Sequence, residues 1–69
     1  MDEITYEILG YGSLAGFDDG EFLLINDGII DKDTALTWGA LHLALNDGTA
    51  VVKVQSSDRE FIEIFRKGV

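Results

Sequence analysis

The chain opens with a segment in which apolar and polar side chains alternate. Ile4, Tyr6 and Ile8 fall on one side of an extended backbone, and Thr5 and Glu7 fall on the other. A period of two is typical of a β-strand with one buried side. The first predicted element is therefore a strand from Ile4 to Tyr11.

Two further segments have the composition of strands. Residues 21–25 (EFLLI) and 49–55 (TAVVKVQ) are rich in β-branched or large apolar side chains. Residues 10–20 carry glycines and aspartates, which indicates a flexible connection between the first two strands, paired as a hairpin. The Asn-Asp-Gly sequence at residues 26–28 indicates a turn, because these residues tolerate positive φ.

Residues 34–45 predict a helix that is apolar on two sides. Asp31 or Asp33 is placed to cap its N-terminus. The two apolar stripes are Leu36, Ala40 and Leu43 on one side, and Trp38, Leu41 and Leu45 on the other. A helix that is apolar all round is expected to be covered on all sides. The second stripe, here named the Trp38 stripe, is therefore either covered by the C-terminal segment or in contact with another chain.

The C-terminal segment admits two interpretations. Residues 57–60 (SDRE) fit a capping box, and Phe61, Ile62, Ile64 and Phe65 lie within one helical face. We favour a helix over a terminal strand, because a strand would place apolar residues on both faces. The sequence thus predicts a single α+β domain over residues 1–69. Its three-stranded, mostly antiparallel sheet is packed by a central helix (34–45) and a C-terminal helix (58–67).

The charge is concentrated in one half of the chain. The net charge is -8; residues 1–31 hold eight acids and no base, whereas residues 32–69 hold five of each. A field of one sign disfavours nucleic acid and anionic membranes as direct partners and favours a protein with a basic surface. The alternative is that the charge only keeps a small protein soluble. The N-terminus has no basic leader, and no apolar run is long enough to cross a bilayer, so we expect a cytoplasmic protein.

Candidate chemistry is sparse. There is no cysteine and His42 is the only histidine, so thiolate sites and histidine clusters are excluded. We expect His42 to be a partly buried, hydrogen-bonded residue. The aspartate pairs match no register of a calcium-binding loop, so turn and capping roles explain them. We expect no catalytic residue, no metal, no cofactor and no enzymatic activity.

One short segment resembles a known family. The sequence ILGYGSL is similar to the strand and YGSL loop near the start of gamma-glutamylcyclotransferase-type enzymes, whose loop backbone holds the substrate. The resemblance covers about seven residues, and the family's catalytic glutamate motif has no counterpart downstream. A strand that ends at glycines explains the segment without that activity.

Two functions fit these features. The first is a small acidic binding protein that inhibits by covering a basic, nucleic-acid-binding surface of a target protein. Its size and charge are similar to those of inhibitors that phages and mobile elements use against CRISPR or restriction systems. The residues expected at the partner are Asp18, Asp19, Glu21, Asp27, Asp31, Trp38, Leu41 and Leu45. The alternative is a structural protein that assembles as a homodimer or larger homo-oligomer through the Trp38 stripe.

Overall fold

The fold is a four-stranded sheet with one helix on each face. The computed structural model describes residues 3–67, and these form β1 (Tyr6–Tyr11), α1 (Leu14–Asp19), β2 (Leu23–Ile29), α2 (Lys32–Leu45), β3 (Val51–Ser56) and β4 (Ile62–Arg66). The strand order is β2-β1-β3-β4, and each neighbouring pair is antiparallel. The predicted α+β class is confirmed, but the predicted number of strands is wrong.

The main core lies between α2 and one face of the sheet. Asp31, one of the two predicted candidates, caps the N-terminus of α2. Its carboxylate accepts hydrogen bonds from the Thr34 backbone N–H at 2.9 Å and from the Thr34 hydroxyl at 2.6 Å. The buried residues of this core are Ile8, Ile29, Ala35, Leu43, Val52 and Val54. All but two of them come from strands, so the two central strands and α2 hold the fold together.

The opposite face of the sheet, here named the open face, is covered only in part by α1. Residues 14–19 were predicted as a flexible connection, which is wrong. Ser13 caps the short helix by accepting a hydrogen bond from the Gly16 N–H at 2.9 Å. The Phe17 ring packs edge-on against Tyr11, with ring centroids 4.9 Å apart. The YGSL segment is thus the end of β1 followed by a helix cap.

The predicted C-terminal helix (58–67) is wrong, because this segment forms the turn after β3 and the strand β4. Within the turn, the Ser56 hydroxyl donates to Asp58, and the Phe61 N–H donates to the Ser56 hydroxyl at 3.0 Å. Phe65 lies opposite Val52 and packs against the core under α2, while Ile64 lies opposite Lys53 on the open face. Apolar residues do occupy both sides of this strand, because both faces of the sheet offer apolar neighbours.

The predicted turn at residues 26–28 is also wrong, because β2 continues through it to Ile29. The register of β2 with β1 shifts on both sides of the Ile8↔Asn26 pair. Gly28 has φ of 67°, a left-handed conformation that glycine adopts without strain. The same residue types that favour turns here make irregularities within an edge strand.

Candidate partner-binding surface

Two of the three buried positions on the side of α2 that faces the sheet hold small residues. Ala35, Gly39 and Leu43 are its buried positions, spaced four residues apart. Of the predicted stripe Leu36, Ala40 and Leu43, only Leu43 is buried, whereas Leu36 is partly buried and Ala40 is exposed. The signal that sequence reasoning missed is Gly39, because glycine within a helix costs about 1 kcal/mol relative to alanine unless close packing requires it. Three of the large side chains of α2, Trp38, Leu41 and Leu45, are left exposed.

The Trp38 stripe is exposed. Trp38 keeps 47% of its surface accessible, Leu41 51% and Leu45 73%. The C-terminal segment does not cover these residues, because it joins the far edge of the sheet as β4. Of the two explanations considered for the stripe, cover by the C-terminal segment is therefore wrong. Contact with another chain stays a prediction.

A groove runs between the Trp38 stripe and the edge strand β2. Its volume is about 280 Å³, and its lining residues are Ile8, Ile25, Asn26, Trp38, Leu41, His42, Leu45 and Asn46. Aliphatic side chains and the tryptophan ring form most of its wall. The amides of Asn26 and Asn46 and the His42 ring supply the polar groups. An apolar trough with a few polar groups is suited to hold a side chain or short segment of a partner.

His42 is held in place at this groove. Its Nδ1 lies 3.2 Å from the Asn46 side-chain nitrogen, and its Nε2 lies 3.4 Å from the Thr49 hydroxyl. The ring is partly buried. These contacts agree with the expectation of a hydrogen-bonded residue with a structural role. They also fix the shape of the groove at the C-terminal end of α2.

The predicted acidic residues lie along or beyond the two ends of β2, and all are exposed. Asp18 and Asp19 end α1, Glu21 precedes β2, Asp27 lies within it, and Asp31 follows it. They form no single cluster, since β2 separates the first three from the last. The hydrogen bonds from Thr34 lower the pKa of Asp31 below its ordinary value. Asp31 therefore has a structural role at α2 in addition to any role at a partner.

The basic residues lie mainly on the open face. The Arg59 guanidinium bonds the Glu7 carboxylate at 2.7 Å. Lys53 Nζ lies 5.9 Å from the centre of the Tyr11 ring, and Arg66 lies 6.0 Å from that of Phe17. The groove has no lysine or arginine among its lining residues. Lys53, Arg59 and Arg66 are thus held on the open face, whereas Lys67 Nζ donates to the carbonyl of the groove residue Asn46 at 2.6 Å. Among the predicted acidic residues, Asp27 directly follows a groove residue along β2.

The described part of the chain offers no cluster of three histidine or acidic side chains that could hold a metal ion. Within residues 3–67, no helix has the length and apolar character required to span a bilayer. Comparisons with protein-family models, with curated proteins and with solved structures give no significant match to the chain.

Proposed function

We propose that this chain is a small acidic binding protein, and that it inhibits a target by covering a basic, nucleic-acid-binding surface. The observation that carries the proposal is the exposed Trp38 stripe beside a strand edge bordered by carboxylates. The stripe supplies an apolar anchor and the carboxylates supply charge complementary to the target. Targets of this kind include the CRISPR effectors and restriction enzymes that phages and mobile elements inhibit.

The energetics of the stripe support a partner. Leaving a large apolar side chain in water forgoes roughly 1.5–3 kcal/mol relative to its full burial. Trp38 and Leu41 are each about half exposed and Leu45 more so, which leaves much of that free energy for an interface. Tryptophan is enriched among the residues that contribute most to binding. Trp38 is therefore the residue expected to contribute most.

The distribution of charge supports a basic partner. The carboxylates of Glu21 and Asp27 are exposed and, within the described residues, form no ion pair. They therefore remain available to an incoming cationic surface. Such complementarity mainly accelerates association and selects the partner, and it weakens as salt screens the charges.

The test is a displacement assay. Labelled DNA is bound to each of a panel of CRISPR effectors and restriction enzymes, and its fluorescence anisotropy is followed as the protein is added. We expect release of DNA from at least one of them, with an apparent affinity that falls steeply between low and moderate salt. Release that is insensitive to salt, or no release from any member of the panel, would overturn the proposal.

Two pairs of variants measure separately the contributions of the Trp38 side chain and of the carboxylates to binding. We expect Trp38→Ala to weaken displacement by about 30-fold, as a loss of about 2 kcal/mol implies. Thr37→Ala, at an exposed neighbouring position of α2, is the control and should bind normally. We expect Asp27→Asn to weaken binding and reduce its salt dependence. Glu60→Gln, in the turn between β3 and β4, is the matched control for removing a carboxylate.

A further inference from the structure

The two edges of the sheet differ in regularity. Along β2 the register with the neighbouring strand shifts twice, on either side of Asn26. Along β4 the register with β3 is unbroken from Gln55↔Ile62 to Val51↔Arg66. Irregular edge strands resist pairing with another strand, whereas a regular edge offers a template for it. Strand addition is therefore favoured at β4.

The backbone of β4 presents hydrogen-bonding groups to this edge. Two backbone hydrogen bonds show which residues direct their groups toward β3. The Ser56 N–H donates to the Phe61 carbonyl, and the Lys67 N–H donates to the Ala50 carbonyl. In an antiparallel pair, alternate residues direct their N–H and C=O groups toward the neighbouring strand. The backbone groups of Ile62, Ile64 and Arg66 consequently point away from β3, toward the free edge.

The apolar and charged side chains of β4 favour a second copy of the chain as the partner at this edge. Ile62 is 51% exposed and Ile64 39% exposed, both on the open face. Glu63, Arg66 and Lys67 carry charges of both signs. The acidic β2 edge is the opposite edge of the sheet. Two copies that meet through β4 keep their acidic edges far apart, whereas two copies that meet through β2 would bring carboxylates together.

We propose that β4 pairs antiparallel with β4 of a second copy, so that two four-stranded sheets become one of eight strands. Ile64 then lies opposite its own counterpart, and Ile62 lies opposite Arg66 of the other copy. In this register Glu63 faces Phe65, so no like charges are directly opposed. The contact uses the edge opposite the groove and does not rest on the function proposed above.

The dimer is expected to dissociate on dilution. β4 has five residues. A pair of strands this short buries less than the ~800 Å² per partner of a standard stable interface. Association of this kind depends on concentration by mass action. At high concentration the molar mass should approach twice 7.6 kDa, and after dilution it should return to 7.6 kDa.

The test combines light scattering with variants at the two edges. Ile64→Lys places two lysines opposite each other at the two-fold axis, and its mass should stay at the monomer value throughout. Leu24→Lys is the matched control: Leu24 is 47% exposed on the same face but on β2, so this variant should dimerise normally. Circular dichroism establishes that both variants are folded. A wild-type mass that remains monomeric, or an Ile64→Lys variant that still dimerises, would overturn the proposal.

Amide hydrogen exchange gives a second measurement that does not require a variant. The amides of Ile62, Ile64 and Arg66 should become protected as the concentration rises, while those exposed along β2 should not. Ile64→Pro removes one outward donor at a position where edge strands accept proline, and it should also abolish the dimer. If Leu41→Glu abolishes self-association while Ile64→Lys preserves it, the copies meet through the Trp38 stripe and the β4 contact is excluded.

Discussion

Gly39 of α2 packs directly against Val54 of β3, so closely that a Cβ atom on the glycine would lie 2.7 Å from Val54 Cγ2. The same added Cβ atom would lie 3.3 Å from the Val52 Cγ1 methyl. Both valines are fully buried and branched at Cβ, so neither side chain can swing away. This contact sets the distance between α2 and the sheet.

The first prediction concerns this contact. Gly39→Ala should gain about 1 kcal/mol in helix propensity and lose about 1–3 kcal/mol through overpacking, so the protein should become less stable. Ala40→Gly, at the exposed neighbouring position, is the control and should cost about 1 kcal/mol through propensity alone. Denaturant titration measures both. If Gly39→Ala is more stable than the wild type, the helix can move outward without cost.

The second prediction separates the Trp38 stripe from the core. Leu43→Ala should cost about 2–5 kcal/mol, because Leu43 is buried on the side of α2 that faces the sheet. Leu41→Glu should lower the free energy of unfolding by no more than about 1.5 kcal/mol, because about half of the Leu41 surface is already exposed. Thermal melting followed by circular dichroism compares the two. Unfolding of Leu41→Glu would show that the stripe stabilises the monomer and is not reserved for a partner.

The third prediction is a dependence on pH at the start of α2. The Thr34 hydroxyl, and then the Thr34 N–H, lower the pKa of Asp31 below its ordinary value of 3.8. The ionised carboxylate therefore stabilises the folded state above that value, and the stabilisation is lost as the pH falls through the lowered pKa. Asp31→Ala should lower the melting temperature at neutral pH, and the difference from wild type should narrow in acid. Asp27→Ala, which lacks a capping role, should show no such narrowing.

The fourth prediction concerns the turn between β3 and β4. Arg59 has φ of 64°, a left-handed conformation that costs most residues about 1–2 kcal/mol. Arg59→Gly and Arg59→Val both remove the ion pair with Glu7, so the difference between them isolates the backbone. We expect the glycine variant to be more stable than the valine variant by at least about 1 kcal/mol in denaturant titration. Equal stabilities would mean that the turn relaxes when the side chain changes.

Local patterns in the sequence correctly predict the helices and strands that are determined by adjacent residues. The alternation before Tyr11, the β-branched run of β3 and the Asp31 cap each depend on a few adjacent residues, and each appears in the structure. The class of the fold follows from them. The Trp38 stripe was also visible in advance as a set of apolar residues with nothing obvious to cover it.

The wrong predictions concern segments whose secondary structure is determined by contacts with residues far away in the sequence. Phe61 and Phe65 satisfy helical spacing, but β3 would be left as an unpaired edge without β4, and sheet pairing is not encoded by local spacing. Residues 26–28 favour a turn on their own, yet pairing with β1 extends the strand through them. The placement of α1 depends on the contact between Phe17 and Tyr11, which only the folded chain creates.

The packing of α2 on the sheet through Ala35 and Gly39 has a consequence for which residues of the helix can be substituted. The positions that hold the helix to the sheet, Ala35 and Gly39, are distinct from the exposed positions Trp38, Leu41 and Leu45. We expect the fold to be retained when Trp38, Leu41 and Leu45 are replaced together, because each is about half exposed or more. The scaffold is thereby suited to randomising one helix surface and selecting new binding specificities from the resulting library.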